Sequence, residues 1–180
     1  MNLPNKLTIF RVFLIPIFLV FFFFQESIPG GEWIALAVFI IASLTDLADG
    51  KIARKYNLVT DFGKFMDPLA DKLLTCSAMI ALIEFDRIPA WIVIVIIARE
   101  FTISGFRLVA ADNGRVIAAS MWGKVKTTFQ MVMVIVLIAK LSFSWIGYLE
   151  QFLIYASLVL TVVSLIDYLV KNKDVLSSEK

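Results

Sequence analysis

The sequence predicts an all-α integral membrane protein of six transmembrane helices, with a short N-terminal interfacial segment and both termini cytoplasmic. Three observations carry that expectation: an apolar content too high for a soluble chain of this length, six apolar runs of spanning length, and a one-sided distribution of basic residues. Of 180 residues, 60% are hydrophobic and sixteen are Phe, and the mean hydropathy is +0.87. Soluble domains are about 45–50% apolar. A soluble globule of 20.3 kDa leaves too much of its surface in water to hide such an excess. The same figures exclude disordered, collagen-like and disulfide-scaffold classes, and the length predicts a single domain, 1–180.

A helix crossing the hydrocarbon core needs about 20 mostly apolar residues. The first run covers 7–24, after an interfacial turn at 2–6, and carries Pro16, a residue expected to kink it. Lys6 and Arg11 ahead of Phe21–Phe24 resemble a signal peptide. However, Gln25-Glu26-Ser27-Ile28-Pro29 offers no small-x-small cleavage site, so the run reads as a retained span. The second covers 33–48, the third 68–83, and the fourth 89–110, with Arg99, Glu100 and Arg107 in its inner half. The fifth covers 121–139 and the sixth 145–169. These runs are too long and too evenly apolar for barrel strands, and only helices or closed barrels satisfy the backbone in lipid.

The charges test this map. Fifteen of the seventeen basic residues fall at the N-terminus, between the second and third spans, between the fourth and fifth, or at the C-terminus. Only Arg87 and Lys140 fall on the other side. By the positive-inside rule this places both termini in the cytoplasm. Trp33, Trp91, Trp145 and Tyr148 fall near the outer boundary, as an aromatic belt does. The net charge is only +2, there is no histidine, and Cys76 is the sole cysteine. Disulfides, His-based metal sites and Ser-His triads are thereby excluded.

Between the second and third spans the chain reads Asp46-x2-Asp49-Gly50-x2-Ala53-Arg54, then, after eight residues, Gly63-x3-Asp67-x3-Asp71. On a helix turning about 100° per residue, Asp46, Asp49, Gly50 and Ala53 share one face, and Gly63, Asp67 and Asp71 share another. Two carboxylates from each helix are thus expected to converge where the spans meet the cytoplasm. Ionised side chains there are costly, and Arg54 alone does not balance four of them. One or two divalent cations would. Ligation by oxygen alone points to Mg²⁺ or Mn²⁺, and a pair of such ions suits a phosphoryl displacement.

This pattern resembles the signature of the CDP-alcohol phosphatidyltransferase family at all eight fixed positions. With residue types each used at roughly 5–8%, a chance match at one start is on the order of 10⁻¹⁰. The resemblance extends over the whole chain, with six spans and the motif between the second and third. Further stretches are similar to the phosphatidylglycerophosphate synthase branch: 2–8 with Arg11, Ala98-Arg99-Glu100-Phe101, Ser104-Gly105-Phe106-Arg107 and Gly123-Lys124-Val125-Lys126-Thr127. The resemblance implies transfer of a phosphatidyl group from CDP-diacylglycerol to glycerol 3-phosphate, with CMP released. It implies metal ligation by Asp46, Asp49, Asp67 and Asp71, with Asp71 also the general base. Contacts to the CDP-diacylglycerol donor would come from Asn5, Thr8, Asp49, Gly50, Ala53, Arg54, Thr60 and Gly63. A homodimer in the cell membrane, among membrane lipids and with its site facing the cytoplasm, is implied as well; a nucleic-acid partner is not.

Arg99, Arg107, Lys124 and Lys126 flank the fourth-to-fifth connection and are the candidates for an acceptor's phosphate. Such residues also serve as topogenic or lipid-headgroup charges. Thr8, Thr60 and Asn5 also suit helix caps or turns. Arg11 reads most simply as a snorkelling anchor. Lys72 reads as an interfacial charge, Cys76 as packing, and Asp167, four residues before Lys171, as an inner-boundary marker. Two alternatives stand beside the leading reading: the same chemistry on inositol phosphate, serine or another alcohol, and a cation transporter using the aspartates for permeation.

Overall fold

The computed structural model describes residues 2–56, 61–112 and 120–172, without the side chains of 47–51, 53–55, 61, 62, 64, 65 and 112. Six helices follow one another: α1 (Leu3–Phe23), α2 (Gly31–Lys55), α3 (Asp61–Glu84), α4 (Ala90–Asp112), α5 (Met121–Ala139) and α6 (Ile146–Lys171). There is no strand among the described residues. Three of the helices, α1, α5 and α6, are long and apolar enough to cross a membrane. The other three carry the charges of the two polar clusters, among them Asp46 and Asp49 in α2, Asp67 and Asp71 in α3, and Arg99, Glu100 and Arg107 in α4.

Helix boundaries differ from expectation mainly around the motif. The turn expected at 2–6 is the first turn of α1, where Pro4 lies at a position that does not need its missing N–H. Pro16 lies inside the same continuous helix. α2 runs on to Lys55, beyond the apolar run 33–48, and α3 starts at Asp61, ahead of the run 68–83, so both helices continue through the motif as its shared faces require; Pro68 lies inside α3. An internal proline removes one backbone hydrogen bond. The buried residues Gly63 and Ala70 on either side of Pro68 hold this stretch against its neighbours.

Two compact units make up the chain. The first comprises 1–87 and 134–141, the second 88–133 and 142–180. In the first, α1 packs against both α2 and α3, which touch each other much less. Its buried face repeats every three and four residues: Pro4, Thr8, Arg11, Ile15, Phe18 and Phe22. That is the spacing of a helix–helix seam. The seam is aromatic at one end, where Phe18 lies 5.5 Å from Phe22 and 5.8 Å from Phe39 of α2, and Phe22 lies 5.1 Å from Phe85 after α3. Such pairs contribute about 0.5–1.5 kcal/mol beyond their buried area. Ala35, Ala42, Ala78 and Ala81 are also buried and let the helices approach closely. At the other end the same seam is polar.

In the second unit α4 packs on α6, and Phe106 meets Tyr168 edge to face at 5.6 Å. The buried stripe of α6 again follows three-and-four spacing: Ile154, Ser157, Thr161, Ser164 and Tyr168. Thr161 and Ser164 donate to carbonyls one turn back at 2.7 and 2.9 Å, so small polar residues are buried there without stranding those donors.

Left-handed backbone marks each of three interhelical loops, at Gly30, Asp86 and Lys140. After Gly30, the start of α2 comes so close to the first loop that a Cβ on Gly31 would lie 2.8 Å from the Gln25 Cα. Gly31→Ala is therefore expected to lower stability by about 1–3 kcal/mol, the usual range for overpacking. Gly105→Ala, where a Cβ meets nothing within 4 Å, is expected to leave it unchanged or raised. Thermal melting of both variants in detergent checks the pair.

Candidate active site

The motif lies on α2 and α3, and α1 is the element that holds both. Arg11, wholly buried, extends from α1 to α2 and places its guanidinium 2.7 Å from Asp46 Oδ1. Its Nε lies 3.5 Å from the Thr45 hydroxyl. One turn earlier on α1, the Thr8 hydroxyl donates to Asp67 Oδ1 of α3 at 2.5 Å; it also lies 3.1 Å from the Pro4 carbonyl. Asp46 and Asp67 are close enough to feel each other's charge. Asp71, one turn beyond Asp67, is half-buried, as both of those are.

These placements alter the expected part of Arg11. Arg11 is no snorkelling anchor: a snorkelling head reaches water, whereas this one has no exposed surface and ends on a carboxylate. Its place on the buried three-and-four repeat, between Thr8 and Ile15, is the signal in the sequence that identifies it. Thr8, expected at the donor, commits its one hydroxyl hydrogen to Asp67. Asn5 is buried on the same face, and Gly63 is buried on α3. Asp49, Gly50, Ala53 and Arg54 belong to α2, with side chains outside the described set, and Thr60 lies outside the described residues.

A divalent cation fits the chemistry of this donor set, which is carboxylate oxygen with no competing nitrogen or sulfur ligand. Among the described residues no three acidic, His or Cys side chains stand together as a metal cluster; the side chain of Asp49, the remaining motif aspartate, is not among them.

The second unit divides the four basic candidates into two pairs. Arg99 and Lys126 are buried, and both reach Glu100: Arg99 at 3.3 Å, Lys126 through a short contact to the same Oε1. Arg107 and Lys124 are exposed. The guanidinium of Arg99 also lies over the first turn of α5, 3.6 Å from where a Cβ on Gly123 would be. Among the described residues its Nε has no hydrogen-bond partner. Glu100 thus meets two cations, Arg99 and Lys126. Asp167 pairs with Lys171, at 2.7 Å.

The family model for CDP-alcohol phosphatidyltransferases matches residues 1–163. The chain belongs to that family. A Bacillus subtilis protein named CDP-diacylglycerol–glycerol-3-phosphate 3-phosphatidyltransferase is 46% identical over 98% of both chains. A Haemophilus influenzae protein of the same name is 39% identical, over 93% of this chain and 91% of its own. A Mycobacterium tuberculosis protein named probable phosphatidylglycerophosphate synthase is 36% identical, over 94% and 81%. Family membership, the all-helical fold and the three long apolar helices make this a membrane protein.

Removing Glu100 takes from buried Lys126 and Arg99 the carboxylate that both reach, and breaking a buried pair typically costs about 3–5 kcal/mol. Glu100→Gln is expected to fall in that range, and Glu100→Gln with Lys126→Met to recover most of it. Asp167→Asn, whose partner Lys171 is largely exposed, is expected to cost under about 1 kcal/mol. Thermal unfolding of the three variants in detergent measures the contrast.

Proposed function

We propose that the protein transfers the phosphatidyl group of CDP-diacylglycerol to glycerol 3-phosphate, forming phosphatidylglycerophosphate and releasing CMP. The observation that carries this reading is the gathering of Asp46 and Asp67 against the polar end of α1, in a chain whose relatives bear the name of that reaction over nearly their full length. Asp71 is the general base: it takes the proton of the acceptor hydroxyl, which attacks the phosphorus bearing the diacylglycerol. Asn5, Asp49, Gly50, Ala53, Arg54, Thr60 and Gly63 bind the donor. Glycine lets a nucleotide approach the backbone closely, and the Arg54 guanidinium suits a diphosphate. Thr8, which also donates to Asp67, binds the donor with them.

Divalent-metal dependence is general in the family, and we assign two Mg²⁺ or Mn²⁺ ions to Asp46, Asp49, Asp67 and Asp71. When bound, they supply charge stabilisation for the attacking and leaving oxygens. The protein's share is positioning, the main source of rate in phosphoryl transfers.

Arg99, Arg107, Lys124 and Lys126 are assigned to the acceptor's phosphate. The meeting of two buried cations, Arg99 and Lys126, at Glu100 supports this, because a phosphomonoester complements cationic side chains and a neutral alcohol does not. The chain works as one domain, crosses the cell membrane six times and has both termini in the cytoplasm. Trp33, Trp91 and Trp145, near the starts of α2, α4 and α6, are exposed, as aromatic anchors at a membrane boundary are. A homodimer is the proposed assembly.

The test is CMP release by the purified full chain in detergent, with CDP-diacylglycerol and Mg²⁺. Glycerol 3-phosphate, inositol phosphate, inositol and serine are offered separately. Release is expected with glycerol 3-phosphate alone, abolished by EDTA and restored by Mg²⁺ or Mn²⁺. Asp71→Asn is expected to lower the rate by about 10²–10⁴-fold, the usual share of a general base. Release with a different acceptor overturns the assignment of the basic residues. No release with any acceptor, from folded protein with metal present, overturns the transferase reading.

A further inference from the structure

Two side chains of α1 use their donors on motif carboxylates, and both choose the same kind of atom. Arg11 bonds Oδ1 of Asp46 at 2.7 Å, and Thr8 bonds Oδ1 of Asp67 at 2.5 Å. Neither donor side chain has any exposed surface. A carboxylate tied at one oxygen loses rotation about its terminal torsion, which is otherwise broad, and the second oxygen is then held in a fixed direction.

We propose that Arg11 and Thr8 are positioning residues for the divalent cation, each fixing one carboxylate so that its Oδ2 faces the ion. The inference rests on the reading of Asp46 and Asp67 as cation ligands and adds the groups that orient them. Three features distinguish this from incidental packing. Arg11 and Thr8 are three residues apart on one face of α1, yet they reach ligands on two different helices. A guanidinium is an expensive group to bury, and a purely structural seam would continue the apolar pattern of Ile15, Phe18 and Phe22. The two contacts also differ in kind. Arg11 brings a full charge that offsets the mutual repulsion of the two carboxylates. Thr8 brings a neutral hydrogen bond that leaves the charge of Asp67 for the cation.

Partners that orient metal ligands typically account for about 10–100-fold in metal affinity. The measurement is Mn²⁺ titration followed by electron paramagnetic resonance, on the full chain in detergent without substrate. The variants are Arg11→Gln, Arg11→Lys, Thr8→Val and Thr8→Ser, with far-UV circular dichroism and size exclusion as folding checks. Arg11→Gln and Thr8→Val are expected to weaken Mn²⁺ by about 10–100-fold and to broaden the bound-ion signal. Lys at 11 and Ser at 8 are expected to restore most of the affinity. Should Arg11→Gln fail to fold, the nearly isosteric Thr8→Val with its Ser counterpart decides the matter. Wild-type affinity and spectrum in folded Thr8→Val and in whichever Arg11 variant folds overturn the positioning role and leave the cation site standing. A wild-type protein that binds no Mn²⁺ overturns both.

Discussion

Carboxylates at the end of an apolar helix bundle need an electrostatic reason to stay there, and the contact of buried Arg11 with half-buried Asp46 supplies it. Taking a guanidinium and a carboxylate out of water costs several kcal/mol per ion, recovered only with good geometry and further hydrogen bonds. Arg11 meets both conditions through its 2.7 Å contact to Asp46 and its approach to Thr45. The rest of the first unit follows from this. α1 has to lie against α2 for Arg11 to reach Asp46, and against α3 for Thr8 to reach Asp67. The Phe18–Phe39 and Phe22–Phe85 contacts hold the far end of the same helix in that register. One helix face thereby does two things: its apolar half fixes distance and register, and its polar half spends that rigidity on chemistry.

The second unit solves a related problem with the signs reversed. Glu100 is a counter-charge for both Arg99 and Lys126, and all three are largely buried. The carboxylate thereby keeps two cations inside the protein. Buried cations suit the recognition of a phosphate, because the electrostatic gain there exceeds that of the same charges in water. Arg107 and Lys124, being exposed, are screened by solvent and salt.

Much of this was legible in the sequence, and the errors have identifiable physical causes. The aspartate pattern is a spacing rule, and a spacing rule survives any uncertainty about where helices begin. The apolar runs 33–48 and 68–83 stop short of the ends of α2 and α3, because both helices continue through the polar motif, as the shared faces of its aspartates require. Composition gave a membrane protein, and among the described residues three helices are long and apolar enough to span one. Arg11 was misread for the reason that a basic residue near a span's cytoplasmic end usually snorkels. Its heptad-like spacing from Thr8 and Phe18 outweighs that habit.

By itself the sequence determined the helical membrane class, the four-aspartate pattern and the family to which it belongs, because each depends on residue type and interval along one chain. Only the tertiary structure decided which donors hold which carboxylates. The Arg11–Asp46 contact joins residues 35 apart, Thr8–Asp67 joins residues 59 apart, and Lys126–Glu100 joins residues 26 apart. Periodicity reports which face of a helix is buried. It does not report what that face meets, since this is fixed by how three helices settle against one another, and that packing depends on the shapes of Phe18, Phe39 and the small alanines between them.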